Sequence, residues 1–244
     1  MIEIVAHRGA TEHAVENTLP ALRRAVALGV DAVEFDVRLT ADRVPVVYHY
    51  FYLDEITSLP GPIFNYTLKQ LQGARFDGAP DARIPTFEAV LDEIGGQIGL
   101  EIELKGPEPE AVDIFASVLN QHKPLWEAIE VTSFEPALLT ALKQRCPGIT
   151  VDLLFPRSEP WMRPDVVAYL ALHRARLAGA RAVHLHPSQL SAEVVATLRA
   201  GGIEIHAWDV NDAPTLRAMQ ALGIPKLCTD HPQQMLDLLG RGAR

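Results

Sequence analysis

At 244 residues the chain is long enough to bury a core without staples, and its 48% hydrophobic and 22% charged residues are those of an ordinary globular protein. A formal charge of −9 with no lysine or arginine run argues against a nucleic-acid backbone or an anionic membrane surface as the main partner. No apolar run reaches the ~18 residues that a membrane span needs, so no stable membrane insertion is expected.

The chain opens on a strand, Ile2–Ala6, without a basic or apolar leader, which makes the expected location cytoplasmic. A helix starting at Asn17-Thr18, with Pro20 in its first turn, should end at Gly29. A second strand, Ala32–Val37, is followed after six residues by Val44–His49. That gap is too short for a parallel crossover, so the second segment must return antiparallel. A turn centred on Ala41-Asp42 would set Asp36 against Val47 and Glu34 against His49. Residues 50–82, rich in Pro and Gly, read as a small insertion or cap with one short helix near Thr67–Gly73. Strands then follow at Ile98–Leu104, Ile129–Ser133, Thr150–Leu154, Ala182–Leu185, Ile203–Trp208 and Lys226–Thr229. Helices are expected at Pro85–Ile94, Pro136–Gln144, Ala192–Ala200 and Ala213–Leu222, the last capped by Asn211-Asp212. Eight strands alternating with helices predict a TIM-type (β/α)8 barrel carrying an antiparallel hairpin extension and a small insertion after the second strand. An open doubly wound sheet is the alternative. There is no linker and no compositional break, so residues 1–244 read as a single domain.

In a parallel barrel the C-terminal ends of the strands line the active site. Those ends deliver His7-Arg8, then Glu34 and Asp36, then Glu101, Glu103 and Lys105, then Trp208 and Asp230; the hairpin adds His49. Residues two apart on a strand share a face, so Glu34 with Asp36 and Glu103 with Lys105 each point one way. Singly, these have ordinary explanations: a solvated Glu-x-Asp face, a structural Glu103–Lys105 ion pair, a core tryptophan. Jointly, so many charges at one mouth are costly to hold without a ligand. Carboxylate oxygens suit one divalent cation, Mg²⁺ or Ca²⁺, rather than zinc, and Glu34, Asp36 and Glu103 could hold it. Cys146 and Cys228 stand far apart, with no Cys or His at ligand spacing, and read as reduced thiols. Arg8 and Lys105 could grip phosphate oxygens, while His7 and His49 could exchange protons near neutral pH.

These motifs, in this order, are familiar: AHRGA at Ala6–Ala10, ENT at Glu16–Thr18, VEFDVRLTADRVPVVYH at Val33–His49 and RIPTFEAVL at Arg83–Leu91. LEIELKGP at Leu100–Pro107, TSFEP at Thr132–Pro136, HAWDVND at His206–Asp212 and TDHP at Thr229–Pro232 complete the set. The chain resembles bacterial glycerophosphodiester phosphodiesterases from Val5 to Pro232. The resemblance implies a small-molecule glycerophosphodiester substrate, such as glycerophosphocholine or glycerophosphoethanolamine, cut to sn-glycerol 3-phosphate and an alcohol. It further implies Glu34, Asp36 and Glu103 as metal ligands, His7 and His49 as the acid/base pair, and Arg8 and Lys105 as phosphate contacts. Trp208 would be a pocket wall. Glu16 and Asn17 would support the site, with helix capping the expected role for Asn17. The protein would act as a monomer or homodimer. Three departures from the family pattern stand out: Tyr50 where an Asp usually follows the second histidine, Glu101 in place of Asn, and Asp209 in place of Thr. Asp54 is a candidate to replace the missing Asp. A non-catalytic phosphodiester sensor, or a lysophospholipase D-type enzyme, are the competing expectations.

Overall fold

Backbone pairing closes the alternating pattern into a cylinder. The computed structural model describes residues 2–242. Nine strands are present among the described residues: β1 (Glu3–Ala6), β2 (Ala32–Leu39), β3 (Pro45–Val47), β4 (Gly99–Leu104), β5 (Ile129–Ser133), β6 (Thr150–Leu154), β7 (Ala182–Leu185), β8 (Glu204–Ala207) and β9 (Lys226–Thr229). They run in the order β1-β9-β8-β7-β6-β5-β4-β2-β3, and a β1–β2 pairing closes the ring. Every barrel neighbour is parallel; only β3 lies antiparallel, on β2. The expected closed barrel, rather than the open sheet, is therefore the fold.

The helices are α1 (Leu19–Leu28), α2 (Leu68–Leu71), α3 (Phe87–Ile94), α4 (Ala111–Gln121), α5 (Pro136–Arg145), α6 (Pro164–Ala178), α7 (Ala192–Ala200), α8 (Ala213–Ala221) and α9 (Pro232–Leu238). Helix α1 ends on Gly29 in the left-handed conformation, as the sequence leads one to expect. Three helices, α4, α6 and α9, lie outside the expected set. Helix α4 does carry helical spacing, at Val112, Phe115, Ala116 and Leu119. In α6 much of the buried stripe is alanine (Ala168, Ala171, Ala175, Ala178), which is too weakly apolar to mark a face.

The hairpin differs from expectation by one residue. Val37 faces Val47, Arg38 faces Val46 and Leu39 faces Pro45. The cause is a three-residue loop, Ala41-Asp42-Arg43, in place of a two-residue turn. Arg43 N–H bonds to Thr40 O at 2.9 Å, and Arg43 takes φ 62, the left-handed residue such loops require. Glu34 and His49 are thus not opposite each other. His49 lies past the last ladder pair and reaches the mouth from a loop.

Strand parity sorts the side chains. The outward faces (Val33, Phe35, Ile102, Val131, Leu153, Val183, Ile205) join the helices in the main hydrophobic core. The inward positions are largely polar: Glu34, Asp36, Glu101, Glu103, Thr132, Asp152, His184, His206 and Lys226 are all buried. Residues 50–82 fold over β3 around a second core of Val46, Tyr48, Leu53, Ile63, Leu71 and Phe76. Its short helix α2 begins at Thr67 with a capping box to Gln70.

Candidate active site

The parallel register brings the acids together. Asp36 pairs with Glu103 and Glu34 with Glu101 across the β2–β4 ladder, all inward. Glu34, Asp36 and Glu103 each present an oxygen, and these oxygens lie within 4.8 Å of one another. Lys105 Nζ sits among them, 2.7 Å from Glu103 Oε1 and 3.1 Å from Asp36 Oδ1. Arg8 contributes from the turn after β1: its backbone N–H donates to Glu34 Oε2 at 2.9 Å, and its Nε lies 3.5 Å from Asp36 Oδ2. Arg8, Glu34, Glu103 and Lys105 line a cavity of about 330 Å³ at the C-terminal mouth with His7, His49 and Trp208, joined by Phe134, Leu154 and Asp209, while Asp36 lies buried behind it.

Burial drives the electrostatics of the triad. Desolvation, then the Asp36 charge, raises Glu34 to about 8, against the pull of His7 and Arg8. The same two causes raise Glu103 to about 7, opposed by Lys105. Asp36 goes the other way: burial would raise it, but Lys105, His49 and Arg8 hold it well below the usual carboxylate range. Three close carboxylates thus share their negative charge unevenly and keep protons at neutral pH that a cation would displace. Asp36 Oδ1 accepts no well-aligned hydrogen bond despite its near-total burial. Three carboxylate oxygens converging this closely are the hard donor set that a divalent cation takes.

The two histidines are set oppositely. His7 Nδ1 lies 2.6 Å from Asp230 Oδ1, which leaves Nε2 on the side of Glu34, 3.9 Å away. Burial alone would depress His7, but Asp230 and Glu34 outweigh it and raise the ring to about 9. For His49 burial dominates, Lys105 and Arg8 add to it, and the ring falls to about 3 despite Asp36. Asp230, in turn, is fixed by Asn211, whose Nδ2 donates to Oδ2 at 2.7 Å and whose Oδ1 accepts the Asp230 N–H at 2.8 Å. Asp230 was visible in the sequence as the residue ending the last strand. Its partnership with His7, 223 residues away in the chain, was not.

Several supporting residues stand elsewhere than expected. Asn17 caps nothing: the N-cap of α1 is Thr18, while Asn17 Nδ2 donates to Asp36 Oδ2 at 2.8 Å and its Oδ1 accepts the Asp36 N–H. Glu16 holds Arg8, at 3.0 Å, rather than His7. Asp212 alone caps α8, bonding Thr215 N–H at 2.7 Å. Asp54 accepts from Gly61 N–H at 2.8 Å and does not stand in for the missing Asp. His49 Nδ1 has no hydrogen-bond partner among the described residues; Tyr50 instead sets its ring edge-on to His49, centroids 4.7 Å apart. Arg8 stands over the same Tyr50 ring at 5.8 Å. Glu101 pairs deeper in the barrel, with His184 at 3.3 Å and Lys226 at 3.6 Å. Trp208 closes one wall, its ring 5.1 Å from that of His186. Three of the four non-glycine residues with positive φ among the described residues, Arg8, Asn17 and Asp209, lie at this mouth, where strain tends to collect.

A (β/α)8 barrel with clustered acids and imidazoles at its C-terminal mouth is laid out as a barrel enzyme. Within that class the chain belongs to the glycerophosphoryl diester phosphodiesterase family, whose model matches residues 7–234. It is 34% identical over 241 residues to the Bacillus subtilis protein YhdW, covering 94% of each chain. It is 27% identical to the glycerophosphodiester phosphodiesterase of Caldanaerobacter subterraneus subsp. tengcongensis, covering 98% of each. Among solved structures it is similar to an Oleispira antarctica phosphodiesterase in complex with the product sn-glycerol-3-phosphate. The TM-score is 0.85 and the identity 26%, with 98% of this chain and 96% of that one covered.

Proposed function

We propose that the protein hydrolyses glycerophosphodiesters to sn-glycerol 3-phosphate and an alcohol, with one divalent cation, Mg²⁺ or Ca²⁺, held by Glu34, Asp36 and Glu103. The observation that carries this reading is the convergence of those three carboxylates on one point of the mouth that His7 and His49 also line. A bound cation supplies charge neutralisation as phosphorus becomes five-coordinate. Arg8 and Lys105 orient the phosphate oxygens. His49, neutral at pH 7, takes the proton from the attacking glycerol hydroxyl beside the ester. His7, protonated through Asp230, gives its proton to the departing alkoxide, and water then opens the cyclic phosphate. Phe134, Leu154 and Trp208 form the apolar side of the cavity, where the alcohol portion rests. This reading takes residues 1–244 as one domain, with 50–82 as its cap.

Release of glycerol phosphate from glycerophosphocholine tests it directly. Glu34→Ala, Asp36→Ala or Glu103→Ala should each abolish turnover, and His49→Ala should cost about 10²–10⁴-fold. Full activity in excess EDTA, or in the Glu103→Ala variant, defeats the assignment. Brisk cleavage of a diester lacking a neighbouring hydroxyl would replace the cyclic route with direct attack by water.

A further inference from the structure

Below the mouth the barrel interior holds a second polar cluster that the reaction does not use. His184 from β7 and His206 from β8 are register partners, and Asp152 stands on the adjoining β6. All three are buried. His184 Nε2 and His206 Nδ1 point at each other across 3.0 Å, and Asp152 Oδ2 lies 3.5 Å from the first and 3.9 Å from the second. Ligand atoms around a four-coordinate transition ion stand roughly 3.3 Å apart, because each bond is about 2.0–2.1 Å. The outer nitrogens are engaged too: His184 Nδ1 lies 3.3 Å from Glu101 Oε1, and His206 Nε2 lies 3.8 Å from Glu204 Oε2. Each imidazole thus has a carboxylate on its outer side, while the inner nitrogens, hydrogen-bonded to each other, face Asp152; metal-binding histidines are backed by carboxylates in the same way.

Setting aside Glu204, whose side chain is 57% exposed, three carboxylates (Glu101, Glu130, Asp152) meet two permanent cations (Arg181, Lys226). A formal charge of −1 remains when both imidazoles are neutral, and a cation between the rings offsets it, as a single ring proton would.

We propose that Asp152, His184 and His206 form a second metal site, structural rather than catalytic, that takes a zinc-type divalent ion. Two imidazoles with one carboxylate select such an ion over Mg²⁺ or Ca²⁺, so the site differs in kind from the all-oxygen triad at the mouth. Loading requires Arg181, 2.6 Å from Asp152 Oδ2, to give up that oxygen. Its other partners, Glu130 at 2.9 Å and Glu204 at 3.9 Å, are in place to receive it. Glu204, whose side chain is 57% exposed, stands beside His206 at the foot of the barrel.

The test uses the full chain carrying Glu34→Gln and Glu103→Gln, which silences the mouth. Titration with Co²⁺ should give about one equivalent with the intense visible bands of a four-coordinate, nitrogen-bearing ion, and Zn²⁺ should bleach them and raise Tm. Glu101→Gln in that background should weaken binding about 10–100-fold, because it loosens the carboxylate behind His184. His206→Gln should abolish the bands. Should His206→Gln fail to fold, the spectrum of the folded background variant decides alone. No Co²⁺ uptake, only the weak spectrum of an oxygen-bound ion, or unchanged bands in His206→Gln each overturns the proposal.

Discussion

At the scale of single residues, the mouth works by unequal treatment of like groups. Two imidazoles share one cavity, yet one is pinned by a carboxylate and the other, half-buried, has no hydrogen-bond partner for Nδ1 among the described residues. The protonated His7 is the form that donates, and its proton leaves as pH rises through about 9, so kcat/KM should fall there. A cation on the carboxylates lowers that limb by cancelling the Glu34 charge, but it leaves the Asp230 contribution in place. Asp230→Asn should therefore move the alkaline limb of kcat/KM to lower pH; a limb that stays put means Asp230 does not set the His7 proton. The raised Glu34 and Glu103 make a second pH prediction. Protons held on these acids compete with the cation, so affinity should rise with pH towards about 8, with proton release on binding. Calorimetry in buffers of different ionisation enthalpy measures that release, and a buffer-independent heat contradicts it.

At the scale of elements, the turn from β1 to α1 shows how backbone constraint builds the site. Arg8 and Asn17 both take left-handed φ, and Arg8 O accepts the Asn17 N–H at 2.9 Å, closing a loop that presents His7 and Arg8 together. Gly9, at φ 94, packs so closely on α1 that a Cβ would stand 2.7 Å from the Ala21 carbonyl carbon. That neighbour is backbone and cannot step aside. Gly9→Ala should cost about 1–3 kcal/mol in urea unfolding and reduce turnover together with it, since the loop carries two site residues. Wild-type stability in that variant would show that the turn relaxes freely. The hairpin teaches the complementary point. Its apolar alternation was readable, but its register depended on whether Arg43 would enter the left-handed region, a choice that Thr40 makes by bonding both Asp42 and Val44.

At the scale of the whole molecule, stability and chemistry occupy different shells. The apolar core lies between barrel and helices, where Phe35 from β2 meets Phe87 from α3 at 6.2 Å and Phe87 stacks on Phe115 from α4 at 4.9 Å. Phe115→Ala should lose about 3–5 kcal/mol, read as a lower urea midpoint, while the folded remainder keeps its wild-type KM because the lost ring packs on the outer, helix-facing side of the barrel. A large KM change with unaltered stability would mean that the two shells are coupled. The barrel interior is given over to charge, which makes this core unusual among barrels filled by branched aliphatic side chains.

Strand and helix alternation, the parity that turns Glu34, Asp36 and Glu103 inward, and the family motifs were all written in the linear chain, because each depends on spacing over a few residues. Helix α6 escaped notice because alanine marks a buried face only faintly. What folding alone decided were the long-range partnerships: Asp230 with His7, Asn17 with Asp36, Glu101 with His184, and the convergence of Asp152, His184 and His206. Each joins strands or loops far apart in sequence, and barrel closure with its particular stagger, which no local pattern encodes, determines which inward side chains meet.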